Sequence, residues 1–90
     1  MNARPTWPEW WEWEIALTRH SELRMEERGV SETDLRTMLE RASGYSDAVA
    51  GGRFLVHVRF RGGNWEVIVE PDAQERRLVV VTVFEKVEDD

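Results

Sequence analysis

The sequence predicts an α+β fold with two N-terminal helices packed on one face of an antiparallel sheet, in the order strand-helix-helix-strand-strand-strand. Three observations carry that expectation. "SETDLRTMLERA" has the i, i+3, i+4, i+7 apolar spacing of a core-facing helix. "RFLVHVRF" and "WEVIVE" alternate with period two on either side of the turn residues "RGGN". "RLVVVTVFE" is apolar on both faces, as suits a strand in the middle of a sheet. Helices gathered ahead of a meander leave one sheet face for both of them to cover.

Each element follows from local grammar. Residues 1–10 read as a flexible Trp/Pro arm, because Pro5 and Pro8 oppose regular structure. In "WEWEIAL", Trp11, Trp13, Ile15 and Leu17 alternate with Glu12, Glu14 and Ala16, which predicts a half-buried strand. Thr18 is the expected cap of a helix from about Arg19 to Arg28, and Gly29 suits its left-handed end. Ser31 caps the second helix, with Asp34 in the capping-box position and Val30 placed to staple onto Leu35. Leu35, Met38, Leu39 and Ala42 form its core stripe.

"SGYSDAVAGG" reads as a loop. Phe54, Val56, Val58 and Phe60 then share one strand face, and Arg53, Leu55, His57, Arg59 and Arg61 share the other. The next strand sets Trp65, Val67 and Val69 against Glu66, Ile68 and Glu70. Pro71 and Asp72 open a second turn before the final strand, and residues 87–90 are an acidic tail. A single domain over 11–86 accounts for all the patterned segments.

Composition narrows the function classes. A chain of 90 residues builds one core. It has no run of about 18 apolar residues, so no membrane span or membrane partner is expected. The start "MNARPTWPEWWEWE" is too polar and acidic for a signal peptide, so the expected location is cytoplasmic. Cysteine is absent, which excludes disulfides, thiolate chemistry and Cys-ligated zinc. Two distant histidines do not make a metal site, so no metal and no cofactor are expected. The net charge of −6 opposes simple nucleic-acid binding. Between residues 18 and 77, however, ten arginines meet eleven acids, so the centre is nearly neutral. The arginine fork suits phosphate or carboxylate.

"LTRHSELRMEERGVSETDL", the glycine-punctuated hairpin and the terminal "VVVTVFE" resemble the small bacterial family called domain of unknown function 4258. His20, Arg24, Met25, Arg28 and Gly29, followed by a capped helix, are the most specific part of that resemblance. It covers roughly residues 11–86 and leaves "MNARPTWPEWW" almost wholly outside. The family looks related to the RelE and BrnT toxins, which implies a helices-then-sheet ribonuclease architecture. It also implies that Thr82, on the last strand, serves as a hydrogen-bonding accessory.

The residues themselves supply candidate chemistry. His20, Arg24 and Arg28 stand at i, i+4 and i+8, on one helical face. His57 and Arg59 share a sheet face. A metal-independent ribonuclease needs a base for the 2′-hydroxyl, an acid for the leaving 5′-oxygen, and cations for the phosphorane. Histidine suits the proton work because its ordinary pKa is about 6.5. The expected catalytic set is therefore His20, Arg24, Arg28, His57 and Arg59, with Thr82 added as the resemblance implies, acting on RNA.

Plain structural roles compete with that reading. Arg24 and Arg28 can pair with Glu22, Glu26 or Glu27 on their own helix. His57 and Arg59 can pair across strands with Glu66 or Glu70. If the helices cover the Phe54/Val56 face, His57 looks away from them and from His20.

The second function class is a non-catalytic protein-binding module of the same fold: an immunity, antitoxin-like or regulatory partner. Trp7, Trp10, Trp11 and Trp13 are interleaved with Glu9, Glu12 and Glu14. Tryptophan is enriched at binding hot spots, and acids between them favour a basic protein partner. Trp10, Trp11 and Trp13 are the expected contact residues. An edge strand there can recruit an antitoxin, a cognate toxin or a second copy as a homodimer.

Overall fold

Two capping boxes fix where the helices begin. In the computed structural model, which describes residues 8–49 and 51–86, Thr18 Oγ1 accepts from the Ser21 amide at 2.9 Å and Ser21 Oγ accepts from the Thr18 amide at 2.8 Å. Ser31 and Asp34 repeat the reciprocal pair at 3.0 Å each. Both pairs satisfy amides that a first helical turn leaves free. Helix α1 spans Arg19–Glu27 and α2 spans Glu32–Glu40. Gly29, at φ 68°, ends α1 in the left-handed region, and the stapling residues Val30 and Leu35 are both buried. No described helix is long and apolar enough to cross a membrane.

The sheet has five strands: β1 (Glu14–Leu17), β2 (Gly44–Asp47), β3 (Phe54–Phe60), β4 (Gly63–Asp72) and β5 (Arg77–Glu85). Their order is β1-β5-β4-β3-β2. Strand β5 is interior, between β1 and β4, rather than at an edge, as its two apolar faces predict. The sheet is mixed rather than wholly antiparallel, because β1 pairs with β5 in parallel. Parallel pairing needs a long connection, and the two helices and the meander between β1 and β5 supply it.

Two further expectations are corrected. The strand read from Trp11 begins only at Glu14, and Glu9–Glu12 forms a 3₁₀ turn. The amide of Trp11 bonds the Pro8 carbonyl at 3.0 Å and that of Trp13 bonds Trp10 at 3.1 Å. This winding lets Trp10 fold back onto Tyr45 and Phe54, with ring centroids 5.6 and 5.0 Å away. Pro8–Trp10, within the arm expected to be flexible, is thus docked, while residues 1–7 and the tail 87–90 lie outside the described residues. The segment "GYSD", expected in a loop, is edge strand β2, with Tyr45 opposite Val56. Its backbone ladder rather than side-chain burial makes it a strand, so composition hides it.

Both helices lie on one sheet face, α1 against β5 and α2 against β3. Met25, Leu35 and Met38 meet Val56, Val67, Val69, Leu78, Val80 and Val83 there, all buried. A bulge in β5 keeps this register: Val69 faces Val80, yet Ile68 faces Thr82. Val81 is the extra residue, and it switches the inward positions from Leu78 and Val80 to Val83. The opposite sheet face carries Leu55, His57, Glu66, Ile68, Thr82 and Phe84, and no described helix covers it.

Arg61 ties the far end together. With Gly62 it forms the β3–β4 turn, at φ 52° and 78°. Two positive φ values match the twist that a two-residue hairpin requires. Its guanidinium donates to Gly29 O at 3.0 Å and to Asp34 Oδ2 at 3.1 Å. The Ser31 amide holds the Asp34 carboxyl below the usual carboxylate range, helped by the Ser31 hydroxyl and the Arg61 charge and opposed by partial desolvation. A carboxylate with a lowered folded-state pKa stabilises the fold above its unfolded value, about 4, and loses that contribution as pH falls through the folded value. Asp34→Ala should therefore be less stable than wild type at pH 7, with the gap narrowing as pH falls below the ordinary carboxylate range and through the lowered folded value. Urea melts at neutral and at acid pH check this.

Candidate active site

The strand alternation that buries Val56 and Val58 turns His57 to the uncovered sheet face. Pairing of β3 with β4 sets His57 directly opposite Glu66. His57 Nδ1 lies 3.0 Å from Glu66 Oε2, and the Glu66 side chain is only 11% exposed against 39% for His57. On the other side, Ser46 Oγ of β2 lies 3.1 Å from His57 Nε2. The imidazole is thus held at both nitrogens by groups from the two strands that flank β3. In the neutral ring, Nδ1–H pointing at the carboxylate leaves the Nε2 lone pair towards the Ser46 hydroxyl.

A concavity surrounds this group. His57, Arg59, Asn64, Glu66, Lys86 and Ser43 line it. Ser43 is fixed by its amide and hydroxyl, which donate to His57 O at 2.8 and 3.2 Å. The Lys86 amide donates to Asn64 O at 2.7 Å, which brings the residue after β5 to the same rim. Arg59 and Lys86 are exposed. The arrangement offers a proton acceptor oriented by a carboxylate, beside two cations that can bind an anion.

The helical stripe lies elsewhere. His20 is exposed on α1, which packs on the opposite side of the sheet from His57. Arg24 Nη1 pairs with Glu27 at 2.8 Å. Arg28 Nε donates to Val83 O at 3.0 Å. Thr82 shares the face of His57 but stands opposite Ile68, whereas Phe84 stands opposite Glu66. Of the six residues expected to be catalytic, the fold brings His57 and Arg59 together and sets His20, Arg24 and Arg28 across the sheet. Thr82 lies one same-face position away from the concavity along β5. No group of His, Asp or Glu among the described residues can hold a metal ion.

A family model described as Domain of unknown function (DUF4258) matches residues 17–85. The chain belongs to that family. The match runs from the last residue of β1 to the last of β5, so the DUF4258 region includes both the His57–Glu66 pair and the His20 stripe. Trp10, Trp11 and Trp13 precede it. No curated protein and no solved structure matches the chain.

Outside the DUF4258 match, the described tryptophans, Trp10, Trp11 and Trp13, are all partly buried. Trp10 packs on Tyr45, which is exposed, and on Phe54, which is partly buried. Trp11 and Trp13 wall a groove with Ile15, Leu39 and Leu78, edged by Arg36 and Glu40. Within the DUF4258 region, sequence reasoning placed Glu66 only as a pairing partner for the basic strand and missed Ser46, Asn64 and Lys86. Glu66 is a full site member because its carboxylate is buried against the imidazole. Ser46 carries no signal in the sequence, since β2 itself was hidden.

Proposed function

We propose that the protein is a metal-independent endoribonuclease of the RelE/BrnT toxin kind, with His57 as its acid–base group. The observation that carries this reading is the His57–Glu66 contact of 3.0 Å within a concavity that also holds Arg59 and Lys86. The helices-then-sheet element order, which a relation to those toxins implies, supports it as well.

The chemistry balances with this chain's own groups. His57 Nε2 takes the 2′-hydroxyl proton of an RNA chain at the position where the Ser46 hydroxyl now sits. The 2′-oxygen forms its bond to phosphorus as the bond to the 5′-oxygen breaks. Lys86 gives its ammonium proton to the departing oxygen, and the Arg59 fork takes the non-bridging oxygens. The products are a 2′,3′-cyclic phosphate and a free 5′-hydroxyl. Glu66 holds the tautomer and stabilises the imidazolium that forms. A toxin of this kind requires an antitoxin, and a protein covering the His57 concavity would silence it.

The purified protein, incubated with a short labelled RNA in excess EDTA, should produce fragments ending in 2′,3′-cyclic phosphate. Intact RNA at stoichiometric protein overturns the reading, and so does cleavage that EDTA abolishes.

A further inference from the structure

Where the β3–β4 hairpin meets the end of α1, Arg28, Arg61, Trp65 and Glu85 wall an open pocket on the helix side of the sheet. Trp65 is 6% exposed, and its indole Nε1 is buried without a hydrogen-bond partner. A buried donor left unpaired is costly and uncommon, so its place in a pocket wall calls for an acceptor. The neighbouring donors are already oriented. Arg28 is anchored on β5 through Nε, and its two terminal amino groups have no partner among the described residues. Arg61 is held by Gly29 O and Asp34.

Glu85 sits over this spot. A Cβ added to Gly63 would stand 2.5 Å from Glu85 Oε2 and 3.6 Å from Trp65 Nε1, so the carboxylate and the indole both border the bare glycine, and the indole N–H has no hydrogen bond. The carboxylate belongs to an exposed side chain. Its charge repels a doubly charged phosphate monoester more strongly than a singly charged diester. Trp65 also lines the His57 concavity, so one residue separates the two pockets around the end of the sheet.

We infer that this pocket receives a phosphodiester of the RNA chain next to the one cleaved. Arg28 and the Trp65 N–H bind its non-bridging oxygens after Glu85 swings aside. The inference rests on the ribonuclease reading for the identity of the chain, and it is tested by binding rather than by cleavage.

The probe is a uridine dinucleotide with its internal 2′-oxygen methylated, which cannot be cleaved. In protein labelled with nitrogen-15, each of the five tryptophans carries one indole N–H, and the signal lost in Trp65→Phe identifies the relevant one. The wild-type Trp65 proton should move downfield and saturate. Arg28→Gln should weaken the binding about tenfold through loss of a charge-assisted fork. Glu85→Gln should tighten it about threefold by removing the like charge. A Trp65 signal unmoved by the dinucleotide overturns the inference. An equal shift with acetate or inorganic phosphate at the same concentration also overturns it, since the pocket would then accept any small anion. A shift without any cleavage of ordinary RNA supports the pocket and sinks the assignment of catalysis to His57.

Discussion

Replacement of His57 by alanine is expected to lower RNA cleavage by about 10³-fold, within the range that a positioned acid–base group contributes. The loss should come from the proton transfer alone, because Arg59 and Lys86 remain in the concavity to bind phosphate. Alanine would leave the Glu66 carboxylate buried without its partner, so His57→Asn, which keeps a polar group facing Glu66, serves as the second variant. Glu66→Gln should cost at least about tenfold, since an amide can stabilise the wrong tautomer and cannot support the imidazolium. His20→Ala should change cleavage less than about twofold, because α1 lies across the sheet from the imidazole. Cleavage rates on one RNA, with folding checked by near-ultraviolet circular dichroism, separate these cases. Equal losses at His57 and His20 would contradict the arrangement. An undiminished rate in folded His57→Asn would remove His57 from the chemistry.

The sequence exposed those parts of the fold that depend on neighbours along the chain. Capping by Thr18 and Ser31, the turn at Gly29 and the period-two faces of β3 and β4 are all local, and each is present. What was hidden depends on pairing across the chain. Parallel contact between β1 and β5 joins residues such as Leu17 and Val80, which no local pattern links. Strand β2 carries Gly, Ser and Asp, residues depleted in strands, and exists because β3 offers it an edge. The bulge at Val81 explains why the last strand looked apolar on both faces: its inward phase changes midway.

The same distinction governs the candidate site. His57 and Arg59 share a face by simple alternation, and that much was legible. Helical spacing aligned His20, Arg24 and Arg28 on one stripe, yet spacing within a helix does not say on which side of a sheet that helix lies. Glu66 becomes part of the site through its register against His57 and its burial, and neither can be read from "WEVIVE" alone. Trp65 shows the limit most clearly. Its apolar ring fits the inward phase of β4, and only packing reveals that its N–H is left without an acceptor.

The largest loss of stability is expected from Leu35→Ala, at about 2–5 kcal/mol. Leu35 is 0% exposed on the first turn of α2, stapled to Val30, within the buried core between the helices and the sheet. Removing most of its side chain forfeits burial and leaves a cavity that the sheet beneath cannot close, because strand ladders hold Val56 and Val67 in register. A domain of this size has about 5–13 kcal/mol of total stability, so the variant should unfold at markedly lower urea. Leu23→Ala is the matched control. Leu23 is 49% exposed on α1, and its truncation should change stability by less than about 0.5 kcal/mol. In urea melts, the Leu35→Ala midpoint should drop with an unchanged slope, since the same surface is exposed on unfolding. A loss below about 1 kcal/mol would mean that α2 does not close the core over β3. The cap of the helix would then contribute more than its packing, and Ser31 rather than Leu35 would be the residue on which the α2 segment depends.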